Sequence, residues 1–495
     1  MSVSLRWLLE GIAAVPGRDV QVADLAIDSR QVHAGSLFLA LKGGRAHGLE
    51  FAADAAARGA SAILWEPESG LAAPSVPEGV LAAPVVRLRE AVGRIADRFY
   101  QRPSASLRIV GVTGTNGKTT CAYLLAQALE RLGTAAAYMG TIGWGRIGRL
   151  EQPTHTTPDA VSVHRSLAQL KAEGVRAVAM EVSSHALDQG RVDGVAFHSA
   201  AFTNLTRDHL DYHVTMQAYG DAKARLFAVQ GLNAAVINIG DEFGLELARS
   251  LAGRVPVTAV WVGEASWRSG RSLQAEHVRL DIHGVSMRIS GSYGEVELST
   301  KLVGRFNAEN SLIVLGCLLS LGVPLPEAAE ALAGCTAPPG RMEVVEPASA
   351  GQPLAVIDYA HTPDALAKAL GALREHCKGD LWCVFGCGGD RDAGKRPLMG
   401  AVADELADRI VVTDDNPRSE DPLEIIRAIT AGIKAHSASV IPDRSAAIAT
   451  ALNGAAAADV VLIAGKGHED YQIYGTTRRS FSDRSEALKV LGAAA

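Results

Sequence analysis

Residues 107–120 read LRIVGVTGTNGKTT, an apolar run that passes through a glycine-bearing loop into a lysine-threonine pair and a helix-forming stretch. A buried strand that hands over to a helix in this way restricts the chain to an α/β design with the loop at a strand end. Gly114 and Gly117 let the loop fold back so that backbone N–H groups of Thr115, Asn116 and their neighbours point inward, and the helix adds its positive end. Lys118 can then reach terminal phosphates, Thr119 can ligate Mg²⁺, and Thr120 completes the first turn. The generic phosphate-loop spacing asks for glycine six places before the lysine. This chain has Val112 there, with Gly111 and Gly114 on either side. A plain glycine turn is the competing reading; the Lys-Thr pair after Gly117 and the apolar strand before the loop favour phosphate binding.

At 495 residues the chain is too long for one hydrophobic core. Residues 1–103 carry short strands around Ala26-Ile27 and Ser36 to Leu41, then the helix-like FAADAAARGASAILW. From 104 to 335, apolar runs alternate with alanine-rich stretches: the phosphate loop, VRAVAMEVSS, FHSAAFTNL and NAAVINIG. That alternation predicts a doubly wound parallel sheet. Residues 336–495 repeat it with PLAVIDYAH, LWCVFGCGG, RIVVTDDNP and DVVLIAGKG. In each of these four the chemistry-bearing residues follow the apolar run, and ligands of open α/β sheets bind outside the carboxyl ends of strands, so the four loops are expected to line one crevice.

With 21% charged residues, a net charge of −6 and no lysine or arginine block, nothing points to nucleic acid, and an anionic ligand must be held locally. The six cysteines are Cys121, Cys317, Cys335, Cys377, Cys383 and Cys387, with no C-x-x-C pair; zinc sites and a disulfide framework are not expected. SLRWLLEGIAAV contains Arg6 and Glu10 and suits an amphipathic helix better than a signal peptide. No apolar run reaches the length of a membrane span, so a cytoplasmic protein is expected.

Glu181-Val182-Ser183-Ser184-His185 follows the second strand of the central block, and TNLTRDHLD (203–211) follows the next. Beside a phosphate loop, Glu181 and His209 are candidate Mg²⁺ ligands; away from one, they would read as a capping acid and a loop histidine. Lys223, in AYGDAKARLF, reads on pattern alone as part of a solvated helix face.

Taken together, TGTNGKTT, EVSSHAL, TNLTRDHLDYH, YGDAKARLF, GRFNAENSL, PPGRME, DYAHTPDAL, GCGGDRDAGKRP, TDDNPRSEDP and AGKGHE resemble the motif set of the Mur ligases, in order, from Asp28-Ser29-Arg30 to about Asp483. The resemblance implies three domains: a small N-terminal α/β domain for a UDP-linked substrate (1–103), a central ATPase domain (104–335) and a C-terminal Rossmann-like domain for an amino acid (336–495). It implies that Ile27, Ser29 and the Gly44-Arg45-Ala46 turn hold the uridine end, and that Thr156, Thr157, Ser183, Gln189 and Arg191 hold the muramoyl peptide. Asn307, Arg341 and Asp358 would close around ATP. Lys223 falls on a lysine that is carbamylated in the family; a carbamate presents anionic oxygens to Mg²⁺ where an ammonium would repel it. Catalysis would then rest on Lys118, Lys223, Glu181 and His209, with Thr119, Glu181, His209 and the Lys223 carbamate around Mg²⁺.

Arg391, Asp415, Asn416, Pro417, Arg418, Gly465 and Glu469 fall on the family's diaminopimelate contacts. An arginine fork suits the far carboxylate of that amino acid, and Arg418 is the candidate, although alone it reads as a surface salt bridge and DNPR as a turn. The activity implied is the ATP-dependent joining of meso-2,6-diaminopimelate to the D-glutamate of UDP-N-acetylmuramoyl-L-alanyl-D-glutamate through an acyl phosphate, by a monomer that needs Mg²⁺ and no nucleic acid or membrane insertion. A lysine-adding relative and a folylpolyglutamate synthetase are the alternatives within this class. A nucleotide switch or a UDP-sugar binding module stands outside it, and neither has a use for TRDHLDYH, GRFNAEN and GCGGDRDAGKRP together.

Overall fold

The computed structural model describes residues 2–43, 46–68, 71–152, 155–265, 267–281, 284–349 and 351–492. It divides into two compact units: Met1–Lys118, Gly133–Val236 and Arg249–Val257 form one, and Thr119–Leu132, Ile237–Ala248 and Thr258–Ala495 the other.

The first unit opens with a four-stranded parallel sheet, β1 (Asp24–Ala26), β2 (Ser36–Ala40), β3 (Ala62–Trp65) and β4 (Leu81–Pro84), paired in that order. The expected helix-like stretch splits here. Its alanines form a helix only over Ala52–Ala57, and AILW becomes β3, buried at every position. An isoleucine, a leucine and a tryptophan gain more on a buried pleated surface than by prolonging a short helix. The N-terminal stretch likewise helps form a core through Leu5, Leu8 and Leu9, yet its α-helix spans only Leu5–Leu8, capped by Ser4. Helix α1 (Leu88–Phe99) buries Leu88, Ala91, Val92, Ile95, Ala96 and Phe99, the three-and-four spacing of one helix face.

The second sheet of this unit comprises β5 (Arg108–Thr113), β6 (Ala136–Gly140), β7 (Gly143–Gly145), β8 (Ala177–Glu181) and β9 (Phe197–Phe202) in the order β9-β5-β8-β6-β7, parallel except for β7. Helix α2 (Lys118–Arg131) follows the glycine loop and α3 (Ala160–Ala172) is capped by Asp159. Register fixes the level of the strand ends: Glu181 pairs with Val112 and Phe202 with Thr113. The loops after β5, β8 and β9 therefore start side by side. Arg165 of α3 donates to Asp24 Oδ1 at 3.2 Å, the Leu25 carbonyl at 2.8 Å and the Tyr100 hydroxyl at 2.8 Å, fastening the two sheets of the unit. His164 beside it is fully buried, its Nε2 2.9 Å from the Asp193 carbonyl and its Nδ1 3.7 Å from Asp97.

Strand β10 (Ala234–Asn238) carries the chain toward the second unit, which holds β11 (Val257–Val262), β12 (Arg271–Asp281), β13 (Gly284–Gly291) and β14 (Gly294–Thr300). β11 and β12 are parallel, whereas β12, β13 and β14 form an antiparallel meander. A doubly wound reading of residues 104–335 does not contain this meander. Its burial alternates along the strands, as it does when one face of an antiparallel ribbon stays solvated.

After helix α4 (Phe306–Ser320) comes a six-stranded sheet: β15 (Glu343–Val345), β16 (Leu354–Asp358), β17 (Leu381–Phe385), β18 (Arg409–Val412), β19 (Ala438–Val440) and β20 (Val460–Ala464), in the order β15-β16-β20-β17-β18-β19. All but β15 run parallel. Alternate residues feed two cores. Val356, Cys383 and Leu462 enter one, while Ile357, Val384 and Ile463 enter the other. Helices cover both faces, among them α5 (Arg444–Gly454) and α6 (Asp483–Leu491). The four apolar runs picked out in this region are β16, β17, β18 and β20, adjacent in the sheet and pointing the same way.

Candidate active site

Gly114 adopts φ +147°, where side chains are strained, and a Cβ there would collide with Thr203 Oγ1. The loop is thereby pressed onto the segment after β9. Thr115 donates its N–H to the Asn204 carbonyl at 2.8 Å, Asn116 N–H reaches Asn204 Oδ1 at 3.0 Å, and the Thr203 hydroxyl donates to the Asn116 carbonyl at 2.6 Å. Lys118 donates to the Gly114 and Thr115 carbonyls at 2.9 and 2.8 Å. Thr119 and Thr120 occupy the first turn of α2, half-buried.

Lys223 does not lie on a solvated face. It is 1% exposed, donates to the Gly114 carbonyl at 2.7 Å and sits 4.1 Å from the centre of the Tyr219 ring. Burial, reinforced by the Lys118 charge, pushes its amine down to about 6. At neutral pH the group is largely an uncharged amine, the form that can add to CO₂.

Glu181 ends β8 fully buried. Its Oε1 accepts the Thr141 N–H at 2.9 Å and the Tyr138 hydroxyl, and its Oε2 lies 3.2 Å from the Thr141 hydroxyl. Thr141 passes the network to Thr156, hydroxyl to hydroxyl at 3.1 Å, and the Thr157 hydroxyl donates to the Glu181 carbonyl at 2.9 Å. Ser183 N–H reaches Thr157 Oγ1 at 3.3 Å; Arg191 donates to the Thr157 carbonyl at 2.8 Å and to Gln189 Oε1 at 2.6 Å. Five residues assigned to one ligand are thus linked in a single hydrogen-bonded chain. Thr156 also lines a cavity of about 190 Å³ with Met139, Trp144, His155 and Arg165. Gln189 continues to the Tyr212 hydroxyl at 3.2 Å, and Tyr212, His185, His213 and His209 pack ring against ring with centroids 4.3 to 5.4 Å apart, His185 tilted on Tyr212 and the other pairs edge to face. His209 is half-exposed in this group, at a left-handed φ of 52°.

Of the uridine-end candidates, Ile27 is half-buried after β1, Ser29 is buried, and Ala46 accepts the Gly43 N–H at 2.9 Å. Gly44 and Arg45 lie outside the described residues.

In the second unit Asn307 is buried in α4, its Nδ2 donating to the Val303 carbonyl at 2.7 Å and its Oδ1 accepting from Asn310 at 2.8 Å. Asp358, at the end of β16, accepts the Met342 N–H at 2.8 Å, and burial pushes its carboxyl up. Arg341 stacks over Tyr359 at 5.0 Å.

The acceptor candidates gather where β17, β18 and β20 end. Gly465, at φ +114°, leaves room for Asp415, whose Oδ2 would stand 2.8 Å from a Cβ there. Asp415 and Asn416 are buried; Asn416 Nδ2 donates to Glu469 Oε2 at 2.9 Å. Pro417 turns the chain, and Arg418 donates to the Gly389 carbonyl at 2.6 Å, with Gly388 leaving space for its guanidinium. Arg391 is exposed on the loop after β17.

Three buried cations brace these loops, and the pattern of the sequence did not single them out. Arg444 forms a fully buried pair with Asp483, Nε to Oδ1 at 2.7 Å and Nη2 to Oδ2 at 2.8 Å, and donates to the Ala464 and Asp414 carbonyls. Arg396 joins Glu420 at 2.8 Å, and Glu420 holds the Asp390 N–H. Lys466 sits between Gly465 and Gly467 with no exposed surface. The one sequence signal was its place in AGKGHE, directly after a strand.

None of the six cysteines forms a disulfide, and no helix among the described residues is long and apolar enough to cross a membrane.

Family profiles match the chain in three stretches: the Mur ligase family catalytic domain over residues 21–100, the Mur ligase middle domain over 112–318, and the Mur ligase glutamate ligase domain over 340–467. The UDP-N-acetylmuramoyl-L-alanyl-D-glutamate–2,6-diaminopimelate ligase of Ectopseudomonas mendocina is 50% identical over 475 residues, covering 96% of either chain. The protein of the same name from Alkalilimnicola ehrlichii is 48% identical over 481 residues, 96% of this chain and 95% of its own. A solved structure of a UDP-N-acetylmuramoyl-L-alanyl-D-glutamate–2,6-diaminopimelate ligase superposes with a TM-score of 0.74 at 33% identity, over 99% of both chains.

Proposed function

The chain belongs to the Mur ligase family, and we propose that it joins the D-glutamate of UDP-N-acetylmuramoyl-L-alanyl-D-glutamate to meso-2,6-diaminopimelate, at the expense of ATP, in peptidoglycan synthesis. The observation that carries the choice of acceptor is the cluster of Asp415, Asn416, Arg418, Gly465 and Glu469, which sets carboxylates and a guanidinium within one group of loops. An amino-acid end with both an ammonium and a carboxylate matches it; L-lysine lacks the second charge.

The chemistry has two steps. The glutamate γ-carboxylate attacks the terminal phosphorus of ATP, ADP leaves, and an acyl phosphate forms. The amine of the acceptor then adds to the acyl carbon, loses a proton, and phosphate departs with the C–O bond electrons. Lys118 offsets charge on the transferred phosphoryl group. Its ammonium is engaged with the Gly114 and Thr115 carbonyls, so phosphate competes with those bonds for it. Thr156, Thr157, Ser183, Gln189 and Arg191 orient the muramoyl peptide, with Ile27, Ser29 and the 44–46 turn at its uridine end. Asn307, Arg341 and Asp358 act toward ATP, and Arg391 with Arg418 toward the carboxylates of the acceptor.

Mg²⁺ would be held by Thr119, Glu181, His209 and a Lys223 carbamate, and would supply positive charge to the phosphate oxygens. The donor set suits it: Mg²⁺ takes few protein carboxylates and leaves positions to phosphates, and among the described residues no group of three or more His, Cys, Asp or Glu is arranged to hold a metal alone. The buried, uncharged Lys223 amine is what carbamate formation requires. The same reading assigns residues 1–103 to the UDP end, 104–335 to ATP and 336–495 to the acceptor, in a cytoplasmic monomer.

The test is an acceptor comparison: UDP-dipeptide, ATP and Mg²⁺ with meso-diaminopimelate, L-lysine or L-ornithine, detecting the UDP-tripeptide by mass. Product with diaminopimelate, and phosphate release that needs both UDP-dipeptide and acceptor, is the expected result. Preference for lysine overturns the acceptor assignment, and phosphate release without an acceptor overturns the ligase reading.

A further inference from the structure

A lysine is rarely buried completely unless its charge is matched, and Lys466 is buried completely. Its Nζ lies 3.1 Å from Glu469 Oε2, 3.2 Å from Asn416 Oδ1 and 3.8 Å from Asp415 Oδ1, with the Tyr471 ring 5.4 Å away. One ammonium therefore touches three residues of the proposed acceptor site, on two different loops. Asn416 closes the arrangement, since its Nδ2 donates to the same Glu469 oxygen and its Oδ1 also accepts the Ile473 N–H at 3.0 Å.

The charges can be counted. Asp415 and Glu469 bring two carboxylates to this spot; burial pushes the Asp415 carboxyl up, and Lys466 works against that by favouring its charged form. Arg444 is committed to Asp483 in a bidentate pair. Asp414 accepts the Tyr474 hydroxyl at 2.9 Å. That leaves Lys466 as the cation in direct contact with the Asp415–Glu469 pair, and with both carboxylates ionised the three groups carry a single net negative charge. A second charged acceptor group of opposite sign falls to Arg418, whose loop begins with Asp415 and Asn416.

We propose that Lys466 is a positioning and specificity-determining residue of the acceptor site, which fixes Asn416 and Glu469 in one arrangement and leaves a single net negative charge for one ammonium of the incoming amino acid. The inference rests on the acceptor function proposed above. Lys466 acts through Asn416, Asp415 and Glu469 and is not assigned a contact with the reacting atoms. Without it, two neighbouring carboxylates would face each other with no ammonium between them, and such a pair holds on to a proton.

The experiment uses the full chain with Lys466→Met, which keeps the length of the side chain and removes the charge. Steady-state kinetics are measured for each of the three substrates from about pH 6 to 9, the range over which a carboxylate pair without its cation would take up a proton. The KM for meso-diaminopimelate should rise about tenfold or more while those for ATP and the UDP-dipeptide stay within about twofold. It should also climb as pH falls in the variant, while remaining flat in the wild type. An unchanged KM for diaminopimelate overturns the proposal, as does an equal change in all three KM values or a fall in kcat alone. If Lys466→Met does not fold, Lys466→Met/Glu469→Gln, which removes one charge of each sign, is compared with Glu469→Gln. The proposal expects the double variant to fold and, with the single net negative charge restored, to bind diaminopimelate at least as well as Glu469→Gln does; losses that simply add overturn it. A wild type that makes no tripeptide from diaminopimelate sinks the reading of function and this inference with it, whereas wild-type turnover with an unaffected variant sinks the inference alone.

Discussion

Lys118 and Lys223 both donate to the carbonyl oxygen of Gly114, at 2.9 and 2.7 Å. Burial, reinforced by the Lys118 charge, lowers the Lys223 amine to about 6, while Lys118 on the phosphate loop is only half-buried.

Lys223→Met should be inactive and, at neutral pH, more stable than the wild type. The folded-state value of Lys223 is lowered from 10.5 to about 6. Between those values the unfolded chain binds more protons, so stability owed to this group rises with pH and its penalty is complete below about 6. The variant's gain in Tm should therefore be large at low pH and shrink toward pH 10. Bicarbonate should raise the Tm of the wild type and leave that of the variant unchanged, because a ligand that binds only the folded amine stabilises only the protein that has one. An active Lys223→Met protein would refute the carbamate.

Lys118→Ala should fold normally and lose ligation by about a hundredfold or more, the usual cost of removing one preorganised positive group from a developing charge. Its side chain is half-buried and donates to the Gly114 and Thr115 carbonyls of the loop, so a core defect is not expected. ADP release and a thermal melt on the same preparation check both halves of the claim.

For Arg418→Ala the quantity to measure is the ratio of kcat/KM for meso-diaminopimelate to that for L-lysine. The wild type should favour diaminopimelate by as much as about 10⁴, since a site built for a charged group rejects an analogue without it far better than a methylene pocket can. The ratio should collapse in the variant through lost diaminopimelate activity, without the protein becoming an efficient lysine ligase. An unchanged ratio would transfer the role to Arg391.

His164→Gln should flatten the acid side of the stability profile. Burial lowers the imidazole below 6.5 in the folded state, so its contribution is present above 6.5 and is lost as pH falls through the lowered value. The wild type should accordingly lose more Tm than the variant between about pH 8 and pH 5. Asp97, whose carboxyl burial pushes up, lies 3.7 Å from His164 Nδ1, so the same comparison in an Asp97→Asn background separates its titration from that of the imidazole. Parallel slopes would mean that His164 does not couple protonation to folding.

The strands that end in chemistry were readable because each is a short apolar run that stops at a polar loop: Arg108–Thr113, Ala177–Glu181, Phe197–Phe202 and the four central strands of the C-terminal sheet. Ala62–Trp65 was hidden behind an alanine-rich helix, although Arg58-Gly59-Ala60-Ser61 separates the two. The meander from Arg271 to Thr300 escaped because RSLQAEHVRLD alternates weakly and carries no loop residues of chemical interest. Lys223, Lys466 and Arg444 mark the limit of sequence reading. Whether a cation is buried depends on partners remote in the chain: Lys223 meets Gly114 across 109 positions, Lys466 meets Asn416 across 50, and Arg444 meets Asp483 across 39.

The Arg444–Asp483 pair has a consequence for how the protein is made. Arg444 holds the Asp414 and Ala464 carbonyls in place, and Asp483, at the head of α6, holds Arg444. A nascent chain that has already presented Asp415, Arg418 and Glu469 to solvent still lacks the carboxylate that neutralises the buried guanidinium behind them. Since domains close as units during synthesis, the loops that Arg444 braces are expected to settle only once Asp483 has been added and can reach it.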